Sequence, residues 1–182
     1  SGREFGGSDT YATSQILAAA INKIGVEKDD VVLCGRQAID GDTAQVGPQI
    51  AEKLGIPQVS YAAEITKEGK TLTIKRMLED GYMTIKVNTP CLITCIKELN
   101  EPRYMSVGGI MECYNKPLEI YNYETLKDDP LIDVDTIGLK GSPTNVYKSF
   151  SPPVKGAGMM MEGADKATCE KLAGILAGKH LI

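Results

Sequence analysis

The residues best suited to chemistry run from Gly35 to Val46: Gly-Arg-Gln-Ala-Ile-Asp-Gly-Asp-Thr-Ala-Gln-Val. The chemistry they suit is the binding of an anion. Gly41 allows the backbone to approach a diphosphate with no Cβ in the way. At a helix start, the N–H groups of Thr43, Ala44, Gln45 and Val46 have no intrahelical partner and sit at the positive end of the helix dipole. The Thr43 hydroxyl adds a donor. Asp40 and Asp42 repel an anion, so their carboxylates are expected to cap or turn away. Arg36 either offsets their charge or reaches a phosphate; a lone loop arginine is equally an ordinary surface residue. A second candidate is the glycine loop Gly6, Gly7, Asp9, Thr10 and Thr13, with Asp9 as the helix cap. Nucleophilic catalysis finds no support, because the one histidine, His180, has no partners from which to build a triad.

These loops need elements to position them. The β-branched run Val31 to Cys34 predicts a buried strand ending at Gly35. Val46, Ile50, Ala51 and Leu54 have helical spacing and predict a helix over 43–54, capped by Asp42 or Thr43. A strand opening through glycine into a helix is a phosphate-binding geometry. The same residues also describe an ordinary βα turn. They form neither a Walker loop nor a GxGxxG fingerprint, so both readings stay open.

Helical periodicity also runs from Asp9 to Ile24. Strands are expected at 58–66, 71–78 and 82–87, joined by the turns Glu68-Gly69-Lys70 and Glu79-Asp80-Gly81. Cys91 to Ile96 is a continuous apolar run suited to the middle of a sheet. Residues 98–111 read as loop or short helix, 117–123 as an edge strand, 125–128 as a helical turn and 145–150 as a short strand. The Pro-, Gly- and Met-rich stretch 152–163 reads as a linker, and 164–177 as a helix. The fold class is therefore α/β, with an antiparallel excursion. The chain opens on a helix with no strand before it, so it is expected to be a C-terminal part of a longer polypeptide.

Composition narrows the function. The chain has 182 residues and a net charge of −4, which argues against nucleic acid as a partner. No apolar run approaches membrane-spanning length, and Ser1 to Asp9 does not resemble a signal peptide. The five cysteines are odd in number, and Cys34, Cys91 and Cys95 lie in strand-like runs. That pattern predicts reduced thiols and a cytoplasmic location. No zinc-ligand set can be assembled with a single histidine.

Three segments together resemble the β subunit of electron transfer flavoprotein. They are Gly-Ser-Asp-Thr-Tyr-Ala-Thr-Ser at 7–14 and Gly-Arg-Gln-Ala-Ile-Asp-Gly-Asp-Thr-Ala-Gln-Val-Gly-Pro at 35–48. The third combines Ile74-Lys75-Arg76, Glu79-Asp80-Gly81, Pro90 and Asn100-Glu101-Pro102-Arg103-Tyr104. The resemblance covers nearly all of 1–182 and implies a Rossmann-like, adenine nucleotide alpha hydrolase-like parallel core. The family's first strands look absent. It further implies an incomplete nucleotide- or flavin-binding domain over 1–150, and a linker and C-terminal helical arm over 151–182 that packs on the α subunit.

The family has two branches. Simple carriers hold structural AMP and tend to have Asp-Cys-Asn-Gln-Thr-Gly in the phosphate loop. Electron-bifurcating members hold a second FAD. Asp42-Thr43-Ala44-Gln45-Val46-Gly47-Pro48 resembles the bifurcating branch, as does the 7–14 segment. The resemblance then implies FAD held by Thr10, Thr13, Ala38, Gly41, Asp42, Thr43, Ala44, Gln45 and Val46. It implies NADH as electron donor, and a ferredoxin or flavodoxin and an acyl-CoA dehydrogenase-type enzyme as acceptors. Docking of the dehydrogenase would use Arg103, Tyr104, Val107, Ile110 and Met111, and Met159 to Met161 would lie in the arm. Two alternatives stand beside this: a carrier-type subunit with AMP, and an adenine-nucleotide-binding stress-type protein of the same fold.

Overall fold

The apolar run Val31–Gly35 forms β1, and Cys91–Cys95 forms β5, which lies beside it in parallel with Val31 opposite Cys91 and Gly35 opposite Cys95. The computed structural model describes residues 1–182. Between these strands in sequence come β2 (Gln58–Glu68), β3 (Thr71–Leu78) and β4 (Gly81–Asn88). The sheet order is β1-β5-β2-β3-β4. β1, β5 and β2 are mutually parallel, while β2, β3 and β4 form an antiparallel meander. The chain thus leaves the parallel core after β2, makes two hairpins, and returns to insert β5 between β1 and β2. That central place explains the uninterrupted apolar sequence Cys-Leu-Ile-Thr-Cys, whose first four residues are buried. β1 is an edge strand, and its Leu33 is 63% exposed.

Two helices lie on one side. α1 (Thr10–Ile24) and α2 (Val46–Leu54) bury Ala18, Ile50 and Ala51 against Leu92 of β5, with Val32 and Cys34 of β1 around them. Each fully buried Ile or Leu contributes about 1.5–3 kcal/mol. The other face of α1 is covered by the segment 121–141, through Ala19, Leu126, Ile132 and Ile137. Small residues make this double coverage of α1 possible: Ala12, Ala18 and Ala19 are wholly buried. A second cluster joins Val59 and Ala62 of β2, Leu72 and Ile74 of β3, and Cys91 and Ile93 of β5.

Smaller elements complete this unit, which spans Ser1–Asn145. They are α3 (Val107–Cys113), α4 (Tyr123–Leu126) and α5 (Gly138–Gly141), with short 3-10 turns at Arg3–Phe5 and Lys97–Leu99. A second unit, Val146–Ile182, contains α6 (Lys166–Gly178), whose N-cap Asp165 accepts from the Thr168 N–H. Residues 146–164 carry no helix or strand. No helix is long and apolar enough to cross a membrane. The fold is mixed α/β around a partly parallel five-stranded sheet.

Four sequence expectations need correction. α2 begins at Val46, not 43, and neither Asp42 nor Thr43 caps it; Gln45 precedes it without a side-chain cap bond. Pro48 is the reason. In a helix begun at 43 its ring would meet the carbonyl four residues back, whereas a start at Val46 places it in the first turn, where its missing N–H costs nothing. Residues 117–122 form no strand, and 145–150 form none either; neither segment pairs with an edge of the sheet, β1 or β4. The helical turn expected at 125–128 is α4, set two residues earlier by a capping box from Asn122.

Gly47, in the first turn of α2, sits where a Cβ would lie 2.7 Å from Cγ2 of Thr94, a buried residue of β5. Gly47→Ala is therefore expected to destabilise the full-length protein by about 1–3 kcal/mol through overpacking, despite the better helix propensity of alanine. Urea denaturation checks this, and an unchanged midpoint would contradict the packing.

Candidate functional site

Parallel strands direct ligands to their carboxyl ends. Here those ends are Gly35 of β1 and Cys95 of β5, in register with each other, with Ala62 of β2 opposite Cys95. The loop from Arg36 to Gln45 leaves from this edge. Its path is set locally. The Asp42 N–H donates to the Ala38 carbonyl at 3.0 Å, closing a turn, and the Gln37 side-chain amide donates to the Asp42 carboxylate. Asp42 and Ala44 both take positive φ, 52° and 54°, which keeps the chain from becoming helical before Val46.

None of the N–H groups of Thr43, Ala44, Gln45, Val46 or Gly47 has a hydrogen-bond partner within the chain. Five successive free donors, the last two at the head of a nine-residue helix, form a donor set suited to phosphate oxygens. Gly41 has open space where a Cβ would project, so close approach is unobstructed. Val46 turns its side chain into the core beneath α2, so its N–H is the group it offers. A nucleotide diphosphate therefore fits the residues present.

The second glycine loop is brought to the first. The Thr10 hydroxyl donates to Oε1 of Gln45 at 3.3 Å. Thr13 lies one turn along α1, and its hydroxyl turns back to the Ser8 carbonyl at 3.5 Å. The loop is built against residues 138–144. The Gly138 N–H donates to the Ser8 hydroxyl, the Leu139 N–H to the Gly6 carbonyl, and the Asp9 N–H to the Ser142 hydroxyl. Gly138 is required there, since it has a φ of 66° and a Cβ would run into the Glu4 carbonyl. The Asp9 carboxylate caps α1 by accepting from the Ala12 N–H at 3.0 Å, and also accepts from the Thr144 N–H and hydroxyl at 2.9 and 2.8 Å. Partial burial opposes its charge, but these hydrogen bonds together outweigh burial and hold its carboxyl below the usual range.

Sequence reasoning did not connect Arg36, Tyr61 and Arg76. The Arg36 guanidinium lies 5.3 Å from the Tyr61 ring centroid and that of Arg76 lies 5.9 Å away. They come from three segments that only the sheet order joins, and no local spacing signals it. Thiol chemistry is not favoured nearby: burial, with Cys95 as a second cause, pushes the Cys34 thiol up, and burial alone raises Cys91 and Cys95.

The residues expected to dock a partner lie on and before α3. Ser106 caps this helix by accepting from the Gly109 N–H at 3.1 Å. Val107, Ile110 and Met111 fall at helical spacing on one face, and all three are exposed, Val107 at 75%. Arg103 and Tyr104 precede them, both exposed.

Comparison with known proteins gives consistent matches. Residues 1–125 match the model of the electron transfer flavoprotein domain. The chain is 65% identical over its whole length to the acryloyl-CoA reductase electron transfer subunit gamma of Anaerotignum propionicum, covering 68% of that protein. It is 54% identical, over 98% of its length, to subunit CarD of the caffeyl-CoA reductase-Etf complex of Acetobacterium woodii, covering 65% of it. It is 49% identical, over 99% of its length, to the electron transfer flavoprotein subunit beta of Thermoanaerobacterium thermosaccharolyticum, covering 67%. The chain thus spans about two thirds of the length of these relatives.

The Asp9 cap carries a pH dependence. Its folded pKa lies below the unfolded value of about 3.9, so its contribution is fully present above that value and is lost as pH falls through the folded one. Asp9→Ala is expected to cost about 0.5–2 kcal/mol at pH 7. The gap between wild type and Asp9→Asn, measured by urea denaturation, should shrink from pH 7 to pH 3.

Proposed function

The chain belongs to the electron transfer flavoprotein family, as a β-type subunit, and on that premise we propose that it holds the adenine-nucleotide portion of an FAD at the carboxyl ends of β1 and β5. The observation that carries this reading is the row of five unpartnered N–H groups from Thr43 to Gly47. Those amides would bind and orient the diphosphate, with the Thr43 hydroxyl as a further donor. Thr10 and Gln45, hydrogen-bonded to each other, would fix the N-terminal loop beside it. Gly41 would let the backbone approach, and the Gln37 amide would hold the Asp42 carboxylate engaged beside the anion. The chemistry supplied by the bound FAD is flavin-based bifurcation, dividing electrons from NADH between a ferredoxin or flavodoxin and, through an α subunit and its FAD, an acyl-CoA dehydrogenase-type partner.

Support for FAD over structural AMP comes from the loop Asp42-Thr43-Ala44-Gln45-Val46-Gly47-Pro48 and from the names of the relatives. One is the electron transfer subunit gamma of an acryloyl-CoA reductase, and another is a subunit of a caffeyl-CoA reductase-Etf complex. Those names also favour a CoA-ester reductase or dehydrogenase as partner. The exposed face Val107, Ile110 and Met111, with Arg103 and Tyr104, is the surface proposed to dock it. We place the protein in a reducing cytoplasm, as its five free thiols suit.

The test is the FAD and AMP content of the full-length subunit purified with its α subunit. Two FAD and no AMP per heterodimer supports the proposal; one FAD with one AMP makes the protein a single-flavin carrier. Thr43→Asp places a carboxylate against the diphosphate and is expected to lower retained nucleotide at this site at least tenfold; full retention would refute the site. Val107→Asp is expected to slow electron delivery to the dehydrogenase partner by tenfold or more with flavin content unchanged. An unchanged rate would remove α3 from the docking surface.

A further inference from the structure

The glycine loop before α1 is held by a segment far along the chain. Gly6, Gly7, Ser8 and Asp9 belong to no helix or strand. Five hydrogen bonds tie them to residues 138–144: Gly138 N–H to Ser8, Leu139 N–H to Gly6, Asp9 N–H to Ser142, and the Thr144 N–H and hydroxyl to Asp9. The two segments also pack without clearance. Gly7 has a φ of 74°, and a Cβ there would lie 2.9 Å from Cβ of Leu139.

Two side chains in this set do more than a helix cap requires. Capping α1 takes one oxygen of Asp9, and Oδ1 supplies it by accepting the Ala12 N–H. Oδ2 is engaged separately, by both donors of Thr144. The next residue, Thr10, donates to Gln45, whose own N–H belongs to the free row over residues 43–47. A carboxylate with an unengaged oxygen beside Thr10 would repel a diphosphate held by that row. Thr144 leaves it no unengaged oxygen. Ser142, only 6% exposed, fixes the backbone of the same residue. Its hydroxyl accepts the Asp9 N–H at 2.8 Å and donates to the Gly138 carbonyl at 2.7 Å, so both of its roles are filled.

Placement therefore passes from Ser142 and Thr144 to Asp9, from Asp9 to Thr10, and from Thr10 to the amide row. We propose that Ser142 and Thr144 are positioning residues of the nucleotide site, which keep the Asp9 carboxylate turned from the bound diphosphate and set Thr10 against Gln45. This rests on the nucleotide reading of the 43–47 row and assigns it two residues that touch neither the row nor the ligand.

The experiment uses the full-length subunit in its native complex, freed of bound nucleotide, with ADP and adenosine as probes in equilibrium dialysis at neutral pH. Thr144→Val removes one donor at constant shape and is expected to weaken ADP binding about fivefold while leaving adenosine binding unchanged. Ser142→Ala is expected to weaken ADP at least as much. Thr144→Ser should bind ADP as wild type does, and Asp9→Asn added to Thr144→Val should recover most of the loss, because the repelling charge is gone. Leu72→Val, in the cluster shared by β2, β3 and β5, is the control for lowered stability and should leave ADP affinity unchanged. Thr43→Asp is run in parallel. ADP affinity lowered by Thr43→Asp but untouched by Thr144→Val and Ser142→Ala would overturn the positioning role and leave the row intact. ADP affinity untouched by all three would overturn both. ADP and adenosine weakened equally, no rescue by Thr144→Ser, or an equal loss in Leu72→Val would reduce the two residues to fold stability and overturn the proposal. Where Ser142→Ala fails to fold, Thr144→Val, at an exposed residue, decides alone.

Discussion

The close approach of α2 to β5, made possible by the missing side chain at Gly47, is the constraint from which the site geometry follows. With Gly47 against Thr94, the helix can begin no earlier than the loop permits and no farther from the sheet. Its head therefore stands over the carboxyl ends of β1 and β5, with its first N–H groups free. Pro48 enforces the same start from the other side, because one more preceding turn would bring its ring against a carbonyl. Thr94 then serves a second purpose with its hydroxyl, which accepts from the Tyr61 N–H and fixes the irregularity of β2. One threonine thus relates the helix head to the aromatic–arginine cluster.

The other half of the site depends on a contact distant in sequence. The N-terminal glycine loop has little apolar side chain to anchor it, yet its backbone is satisfied by residues 138–144 through Ser8, Asp9, Ser142 and Thr144. Farther along α1, the Gln15 side-chain amide donates to the Leu131 carbonyl and the Thr136 hydroxyl at 3.0 Å each, while its Oε1 is buried without a partner. Buried polar groups that are paired in this way specify one arrangement more sharply than apolar contact does. The segment 121–144 has little regular structure of its own, but it covers α1 and fixes the loop before it.

Much of the fold was legible in the sequence, because its elements carry strong local signals. The β-branched runs, the two hairpin turns, the Asp9 cap and the helical spacing of α1 each report a short-range preference. The carboxyl-end loop and the exposed face of α3 were legible too, one by its glycine and helix, the other by resemblance. What failed depended on neighbours. Residues 117–123 and 145–150 have strand-like composition but pair with neither edge of the sheet. The start of α2 was misplaced because capping residues were weighed above the proline that follows them. The coming together of Arg36, Tyr61 and Arg76 was illegible, since it exists only once β5 has inserted between β1 and β2 and the β2–β3 hairpin has set its register.

Charge limits what the proposed loop site can do with backbone donors alone. A helix head carries about half an elementary charge, which orients an anion but leaves most of a diphosphate uncompensated. Asp40 and Asp42 deepen the deficit, and the Gln37 amide engages one of them without neutralising it. In the proposed site, direction comes from the backbone donors of residues 43–47, and Arg36 is the one cation that the loop itself holds.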